Sequence, residues 1–215
     1  MQVIGSSVCC VFLCYPQRMK KALYILYLPG VGDDMSALGQ RRTLRLWRIW
    51  GVSAEFMPLH WSTDESWEEK RSRVLVRVDE LIADGKTVGL VGASAGAAAA
   101  VWVFAQRKDQ LAGCVLVAGK INNAENIKDK YRAKSLALVD AVRDCERALP
   151  QLDAADRARM MSTYAFYDEV IARRDSHIDG ANNRLLPTVG HACTIVLRLV
   201  FGAPNALRFL VKQVR

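Results

Sequence analysis

Residues 87–106 read TVGLVGASAGAAAAVWVFAQ, and three patterns follow one another within them. Residues 87–92 form an apolar run, which predicts a buried strand. Residues 95–106 are apolar nearly all round, which predicts a buried helix whose small side chains let its backbone lie close to a sheet. Ser94 stands between the two patterns. The whole stretch therefore predicts a strand–turn–helix unit with a hydroxyl group at the turn.

The turn itself, Gly92-Ala93-Ser94-Ala95-Gly96, matches the pattern G-x-S-x-G. In a nucleophile elbow, a sharp turn holds the serine in strained backbone geometry, and the flanking glycines remove side chains that would clash. The hydroxyl then projects at the helix N-terminus, where the helix dipole favours developing negative charge. A plain tight turn with an incidental serine is the alternative. The setting between an apolar strand and a small-residue helix favours the elbow.

Strands and helices alternate along the rest of the chain. The predicted strands are residues 22–28, 54–60, 87–92, 111–118, 161–167 and 183–188. The predicted helices are residues 35–50, 65–84, 95–106, 124–148, 191–200 and 205–214. This alternation predicts an α/β fold, with a mostly parallel central sheet of about six strands and helices on both faces. In such a sheet, polar groups that directly follow the strands meet at the carboxyl edge.

A serine nucleophile requires a base, and the chain has three histidines. His191 comes directly after Gly190, past the last predicted strand, which places it at the same sheet edge as Ser94. His60 also ends a predicted strand and could line the cleft, but it precedes the serine in the chain. His177 lies beyond a polar helix. We therefore predict that His191 is the base.

An acidic residue must orient that histidine. Asp168 directly follows the fifth predicted strand, at the carboxyl edge, and is the predicted partner of His191. An aspartate in this position is also often a helix N-cap, and Glu169 is the adjacent alternative. Asp175 and Asp179 lie nearer to the histidine in sequence, but they fall in or after a helix.

The segment Pro29-Gly30-Val31-Gly32 follows the first predicted strand and brings a glycine-rich backbone to the same edge. Backbone N–H groups in such a segment can stabilise the negative charge that develops on a carbonyl oxygen, as an oxyanion hole. We predict that the N–H groups of Ala95 and Val31 form this hole, with Gly32 as the alternative to Val31.

Two residues at the end of the second predicted strand are candidates for the substrate pocket. His60 and Trp61 stand at this strand end, and with Gly30 and Gly32 they make up the predicted substrate-binding set. The sequence carries no metal-ligand spacing. Gly30-Val31-Gly32 lacks a third glycine at the spacing of a dinucleotide motif. We therefore predict no metal and no cofactor.

The order Ser94, Asp168, His191 on alternating strands and helices resembles the α/β-hydrolase fold of the serine hydrolase superfamily, over residues 22–215. The resemblance implies that Ser94 is the nucleophile, that His191 is the general base and then the general acid, and that Asp168 fixes the imidazole. One departure is Pro29, which stands where many members of the superfamily have a histidine. It bears on the substrate class more than on the three residues.

The resemblance also implies one domain over residues 19–215, without room for a large lid. Residues 120–158 lie between the fourth and fifth predicted strands, where members of the superfamily carry a cap. Asn122, Asn123 and the predicted helix 124–148 could form a small helical cap-like insertion there.

Residues 1–18 precede Met19-Lys20-Lys21, which looks like a translation start. Residues 8–15 are apolar, but the run is too short to span a membrane and no basic region precedes it, so it is a poor secretory signal. We interpret residues 1–18 as an N-terminal extension that is loose or not native. A lipid-modified or membrane-tethered terminus is the rival interpretation.

These features together predict a serine hydrolase that cleaves a small carboxylic ester or thioester through an acyl-enzyme intermediate. Its predicted partner is a small-molecule acyl substrate. The alternative is a catalytically silent protein of the same fold that binds a ligand or a protein partner. The presence of all three residues of the set argues against this alternative.

Composition and charge exclude other classes. The chain has 215 residues, of which 51% are hydrophobic and 24% charged, which excludes a disordered chain and a membrane bundle. The net charge is +8, and it lies at the ends, because residues 1–32 and 180–215 contain no acidic residue while residues 33–179 are neutral. No basic recognition motif accompanies this charge, so we predict no nucleic-acid partner and no membrane partner.

The chain has six cysteines, and none of them forms a C-x-x-C pair. This pattern is typical of reduced thiols rather than of a zinc site or a disulfide framework, and it predicts a cytoplasmic protein. The sequence does not determine the oligomeric state.

Overall fold

The computed structural model describes residues 23–214, with the backbone alone for residues 33–36. The strands are β1 (Leu23–Leu28), β2 (Ser53–Phe56), β3 (Thr87–Ala93), β4 (Leu111–Val117), β5 (Met160–Tyr167) and β6 (Asn182–Val189). The helices are α1 (Asp33–Leu46), α2 (Trp67–Ala83), α3 (Ala95–Gln106), α4 (Asp129–Arg132), α5 (Ala137–Ala148), α6 (Ala154–Ala158), α7 (Arg173–Ser176), α8 (His191–Val200) and α9 (Ala203–Gln213). Three short 3-10 helices span Trp47–Trp50, Ala124–Asn126 and Leu149–Gln151. The predicted N-terminal extension, residues 1–18, lies outside the described residues.

Six strands form one sheet in the order β2-β1-β3-β4-β5-β6. Every neighbouring pair is parallel, which confirms the predicted α/β fold. The central strand β4 is apolar along its whole length because helices bury it on both faces. Since all the strands run the same way, the loops that follow them meet at one carboxyl edge.

Helices cover both faces of the sheet, as the alternation of elements predicts. On one face, α2, α3 and α5 pack together with Leu26 and Leu90 of the sheet. On the other face, α1, α8 and α9 pack together with Ile25 and Val115. The two apolar layers between the helices and the sheet form the core of the protein.

Two glycines let α3 lie unusually close to the sheet. A Cβ atom at Gly96 would overlap the carbonyl oxygen of Leu28, and one at Gly92 would lie 2.5 Å from the carbonyl oxygen of Gly96. No side chain fits at either position without moving backbone. The G-x-S-x-G spacing is therefore a packing requirement of the junction between β3 and α3.

The predicted helix 124–148 is wrong in its first half, where a 3-10 turn and α4 precede α5. The backbone becomes extended at Ile127, whose side chain is buried. The guanidinium group of Arg132 donates hydrogen bonds to the carbonyl oxygens of Ala124, Glu125 and Ile127. A side chain therefore satisfies carbonyl groups that a continuous helix would have paired, and the burial of Ile127 overrides local helix propensity.

The predicted strand 54–60 is too long, because β2 ends at Phe56. The chain then turns, and His60 adopts a left-handed φ of 48°. The buried ammonium group of Lys70 donates to the carbonyl oxygen of His60 at 2.6 Å and to Thr63 Oγ1 at 2.9 Å. These hydrogen bonds come from a residue of α2, outside the predicted strand, and fix the turn, so the residue pattern within the strand does not reveal them.

The last two helices close the face that carries α1. His191 begins α8 directly after Gly190, which has a φ of 95°, and α9 follows a short break. Leu199 and Leu207 anchor the pair in the core. Among residues 23–214, no single helix is long and apolar enough to cross a membrane, and α8 and α9, bent by 63°, meet that criterion only when joined, by length and composition alone.

Candidate active site

Ser94 lies at the junction of β3 and α3, with φ 53° and ψ −120°. A residue other than glycine in this region is strained by about 1–3 kcal/mol, so its surroundings must hold it there. The Ser94 N–H donates to the carbonyl oxygen of Val117 at 3.0 Å, and the Ser94 carbonyl accepts from the N–H of Lys120 at 3.1 Å. The chain around the end of β4 thus fixes the serine turn.

His191 brings its imidazole between Ser94 and Asp168. Its Nε2 lies 2.9 Å from Ser94 Oγ, and its Nδ1 lies 2.8 Å from Asp168 Oδ2. The side chain of His191 is 12% exposed and that of Asp168 is 5% exposed. The structure therefore brings together the three residues that the sequence singles out, from the ends of β3, β5 and β6.

The Asp168 carboxylate is held in place from both sides. Its Oδ1 accepts the backbone N–H groups of Val170 at 2.8 Å and Ile171 at 2.9 Å. Burial acts to raise the pKa of Asp168, but the hydrogen bonds from His191 and Ile171 outweigh it and lower that pKa below its usual value. An ionised carboxylate only accepts hydrogen bonds, so the imidazole proton lies on Nδ1, and Nε2 accepts from the Ser94 hydroxyl.

Glu169 contacts the backbone of the histidine instead of its ring. Its two carboxylate oxygens lie 3.3 and 3.0 Å from the His191 N–H. This N–H belongs to the first residue of α8 and has no acceptor within the helix. Glu169 thus anchors the start of α8, while Asp168 contacts the imidazole.

The other titratable candidates lie elsewhere. Asp175 forms an ion pair with Lys120, with the ammonium nitrogen 2.7 Å from Oδ2. His177 is 46% exposed, and its Nε2 lies 3.3 Å from a carboxylate oxygen of Asp179. Neither Asp175 nor His177 is hydrogen-bonded to Ser94 or His191 in the part of the chain that the structure describes.

The glycine-rich segment after β1 lies directly against the serine. A Cβ atom at Gly30 would be 2.6 Å from Ser94 Cβ and 3.2 Å from Ser94 Oγ. Val31 and Ala95 line the same cavity as Ser94. Ala95 is the first residue of α3, so its N–H has no acceptor within the helix. Gly32, with a φ of 89°, is the N-cap of α1.

Trp61, predicted as a substrate-binding residue, is not part of the wall of the cavity that contains Ser94. Its side chain is completely buried and stacks on Trp67, with ring centroids 6.2 Å apart. Its indole N–H donates to the carbonyl oxygen of Pro29 at 2.9 Å. Trp61 therefore supports the glycine-rich segment from behind. His60 is half-buried in the neighbouring turn, where its carbonyl oxygen binds Lys70, and it is not part of the cavity wall described below.

A cavity of about 190 Å³ opens beside Ser94 and His191. Its apolar wall consists of Val31, Ala95, Ile127, Leu138, Val170 and Ile171. Its other polar wall residues are Lys120, Asn126, Lys128 and Tyr131. A cavity of about 150 Å³ holds a molecule of the size of benzene, so the cavity beside Ser94 has room for a group of about six non-hydrogen atoms.

Sequence reasoning missed most of this wall. Only the first part of the predicted cap, together with Leu138, borders the cavity, because α5 packs mainly on α3. Lys120 could have been found, since it comes just after β4 at the carboxyl edge. The positions of Ile127 and Tyr131 at the cavity could not be predicted from the sequence, because an irregular path of the chain brings them there.

Comparison with known proteins rests on structure alone. No protein-family model matches the sequence, and no curated protein is similar to it in sequence. One of two metagenome-derived lipolytic enzymes, LipS and LipT, superposes with a TM-score of 0.70 at 14% identity, over 90% of this chain and 95% of that one. The lipase BlEst2 of Bacillus licheniformis superposes with a TM-score of 0.64 at 15% identity, over 88% and 92%.

A third similar structure is that of a hydrolase that is not named as a lipase. An S-formylglutathione hydrolase from Agrobacterium tumefaciens superposes with a TM-score of 0.59 at 13% identity, over 92% of this chain and 86% of that one. The parallel six-stranded sheet and these superpositions together define the α/β-hydrolase fold. The chain has that fold over nearly all of its described length.

Proposed function

We propose that this protein is a serine hydrolase that cleaves a small carboxylic ester or thioester through an acyl-enzyme intermediate. The observation that carries the proposal is the linked pair of hydrogen bonds, 2.9 Å from His191 Nε2 to Ser94 Oγ and 2.8 Å from His191 Nδ1 to Asp168 Oδ2. The strained serine turn supports it, because such strain is concentrated at functional sites. The lipases and esterases among the similar structures support it further.

The proposed reaction begins when His191 Nε2 takes the proton of the Ser94 hydroxyl while Oγ attacks the substrate carbonyl carbon. The carbonyl electron pair moves to oxygen, and the N–H groups of Ala95 and Val31 stabilise the resulting oxyanion. The intermediate collapses and expels the alcohol or thiol, which takes the proton from His191. Water then repeats the sequence on the acyl-enzyme, and the acid and Ser94 are released.

Asp168 acts through His191. Its ionised carboxylate keeps the imidazole proton on Nδ1 and stabilises the imidazolium that forms during each proton transfer. We place the acyl part of the substrate in the cavity beside Ser94, which has a volume of about 190 Å³. The proposed substrate class is a small ester or thioester.

A fluorophosphonate probe tests the nucleophile. We expect the probe to label Ser94 and the wild-type protein to hydrolyse 4-nitrophenyl butyrate. Ser94→Ala removes the nucleophile, so labelling is lost and hydrolysis falls to the uncatalysed background. The matched control is Ser53→Ala, which removes an exposed hydroxyl on the edge strand β2. Peptide mass spectrometry locates the label.

A folded wild-type protein that stays unlabelled and cleaves neither short esters nor short thioesters contradicts the proposal. Such a result indicates the second candidate, a catalytically silent protein of this fold that binds a ligand or a partner.

A further inference from the structure

The loop after β4 has two residues with positive φ, one of them strained. Ala118 has a φ of 46°, which residues other than glycine seldom adopt, whereas Asn123, with a φ of 58°, lies in the left-handed region that asparagine tolerates. Gly119, between them, packs against α3, and a Cβ atom there would lie 2.5 Å from the Cβ of Ala97. Strain of this kind persists only where the surrounding structure holds it, and it is concentrated at functional sites.

Asp175 holds this loop with four hydrogen bonds. Its backbone carbonyl accepts the N–H groups of Ile121 at 3.0 Å and Asn122 at 3.1 Å. Its carboxylate accepts from Asn123 Nδ2 at 2.6 Å and from Lys120 Nζ at 2.7 Å. One residue thus fixes both the path of the loop and the position of the Lys120 ammonium group.

The buried ion pair between Lys120 and Asp175 needs an explanation beyond stability. Their side chains are 8% and 7% exposed. Removing two charges from water costs several kcal/mol for each ion, and apolar residues of similar volume often give equal stability. An ammonium group has three donors, and among the described residues that of Lys120 makes one hydrogen bond, to Asp175.

Lys120 is also a wall residue of the cavity that contains Ser94. Lys128 lines the same cavity, and its ammonium group donates to the carbonyl oxygen of Glu169 at 2.6 Å. The wall, as far as the described residues form it, contains these two lysines and no acidic side chain. The nearby carboxylate of Asp168 is occupied by His191 and two backbone N–H groups.

We propose that Lys120 is the anion-binding residue of this cavity and that the preferred substrate is a short ester or thioester whose acyl part carries a carboxylate. This inference rests on the proposed function and names its substrate class. In the acyl-enzyme the acyl part stays bonded to Ser94, inside the cavity, and its carboxylate accepts hydrogen bonds from the Lys120 ammonium group. The cavity volume suits an acyl group of about the size of malonyl or succinyl.

A pair of substrates of equal shape tests the proposal. Monoethyl succinate carries the carboxylate, and ethyl 4-methylpentanoate replaces it with an uncharged branched group. We expect the wild-type kcat/KM to be higher for monoethyl succinate. Lys120→Gln should reduce the ratio of the two kcat/KM values by about tenfold or more, because a charge-assisted hydrogen bond is lost.

Two further variants separate recognition from folding. Lys120→Gln leaves Asp175 without its cation, whereas the double variant Lys120→Gln/Asp175→Asn has an uncharged pair at the two positions. We expect the double variant to lower the ratio of the two kcat/KM values as much as Lys120→Gln does. The matched control is Lys108→Gln, which breaks another ion pair to a buried aspartate, Asp156, outside the cavity wall. We expect this control to keep the wild-type ratio, and thermal unfolding of each variant checks that it is folded.

Two results overturn the inference. One is a wild-type protein that hydrolyses both esters but does not prefer monoethyl succinate, and the other is an unchanged ratio in the folded double variant. In both cases Ser94 is still labelled by the fluorophosphonate, so the proposed hydrolase function stands. Absence of both labelling and hydrolysis contradicts the proposed function itself, and the substrate class fails with it.

Discussion

Two adjacent carboxylates contact the same histidine in different ways. Asp168 accepts from Nδ1 of the imidazole, whereas Glu169 accepts from the backbone N–H of His191. Both acids were candidates from the sequence, because both follow β5 directly. A ring contact controls the tautomer and charge of the imidazole, while a backbone contact controls only where α8 begins.

This difference predicts different kinetic effects for two conservative variants. Asp168→Asn places an amide beside Nδ1 and favours the wrong tautomer, and we expect kcat on 4-nitrophenyl butyrate to fall roughly 10⁴-fold, as in comparable triads. Glu169→Gln keeps an acceptor for the His191 N–H, and we expect a much smaller loss. Steady-state kinetics on both purified variants measures this.

Equal losses in the two variants, with both proteins folded by circular dichroism, would contradict the assignment of Asp168 as the residue that orients His191.

At the scale of elements, the segment after β1 is held between two layers. Gly96 of α3 lies directly against the carbonyl oxygen of Leu28, and Trp61 from the turn after β2 donates to the carbonyl oxygen of Pro29. The predicted oxyanion donor Val31 follows within two residues. Contacts from α3 and from the turn after β2 therefore position one loop beside Ser94.

Trp61→Phe should therefore affect both stability and activity. The variant keeps the aromatic packing but leaves the carbonyl oxygen of Pro29 buried without its donor, which costs about 1–3 kcal/mol of unfolding free energy. We also expect a lower kcat, because the loop that carries Val31 is less firmly placed. Urea unfolding and ester hydrolysis measure the two effects.

Trp102→Phe is the matched control, since the Trp102 ring packs edge-on against Trp67 and no hydrogen bond of its indole N–H occurs among the described residues. If both variants lose the same stability and activity, the hydrogen bond to Pro29 is not what holds the loop.

At the scale of the whole molecule, paired carboxylates connect separate elements. Glu55 of β2 binds Arg77 of α2, and Asp79 of α2 binds Arg107 after α3. Glu65 forms two hydrogen bonds with Arg73. These hydrogen bonds, with a smaller contribution from Lys70, lower the pKa of Glu65 to about 2, although burial acts to raise it.

The pKa of each of these carboxyl groups is lowered in the folded protein. For Asp79 the hydrogen bond from Arg107 is the main cause of the lowered pKa. For Glu55, Asp156 and Asp168 burial is the largest influence and acts to raise the pKa, but hydrogen bonds and positive charges outweigh it and the pKa is lowered. A carboxyl group whose pKa is lower in the folded state binds fewer protons there than in the unfolded chain.

We therefore expect the protein to lose stability in acid. The carboxylate pairs stabilise the protein fully at a pH above the pKa values of the unfolded chain, about 4. This stabilisation is lost as the pH falls through the pKa values of the folded protein, which for Glu65 is about 2. Urea unfolding between neutral pH and about pH 2 should show a decreasing midpoint. Glu65→Gln should flatten this dependence, whereas Asp109→Asn, which removes an exposed carboxylate outside these pairs, serves as control.

A midpoint that stays constant or rises on acidification contradicts this ion-pair account.

The charge excess also acquires a location. The sequence places it at the chain ends, with the middle neutral. In the structure the exposed Arg208 and Lys212, which belong to the basic C-terminal part of the chain, lie on α9. Part of the excess is thus carried by a helix that covers the same face of the sheet as α1 and α8.

Much of the fold could be predicted because its signals are local. The apolar run of β4 and the small-residue pattern of α3 are complete within their own segments, and the structure confirms both. The prediction of one helix over residues 124–148 is wrong because Ile127 is buried and Arg132 donates hydrogen bonds to the carbonyl groups that such a helix would have paired. Both causes depend on contacts that the local pattern does not contain.

By itself the sequence determined the strand–turn–helix unit at residues 87–106 and the order in which Ser94, Asp168 and His191 follow their strands. These features depend on neighbours in the chain and on the rule that parallel strands share a carboxyl edge. Only the tertiary structure decided which carboxylate contacts the imidazole and which lysines line the cavity. The Lys120–Asp175 contact joins residues 55 positions apart. Such a contact forms only when the folded chain brings the two residues together, so no local sequence pattern predicts it.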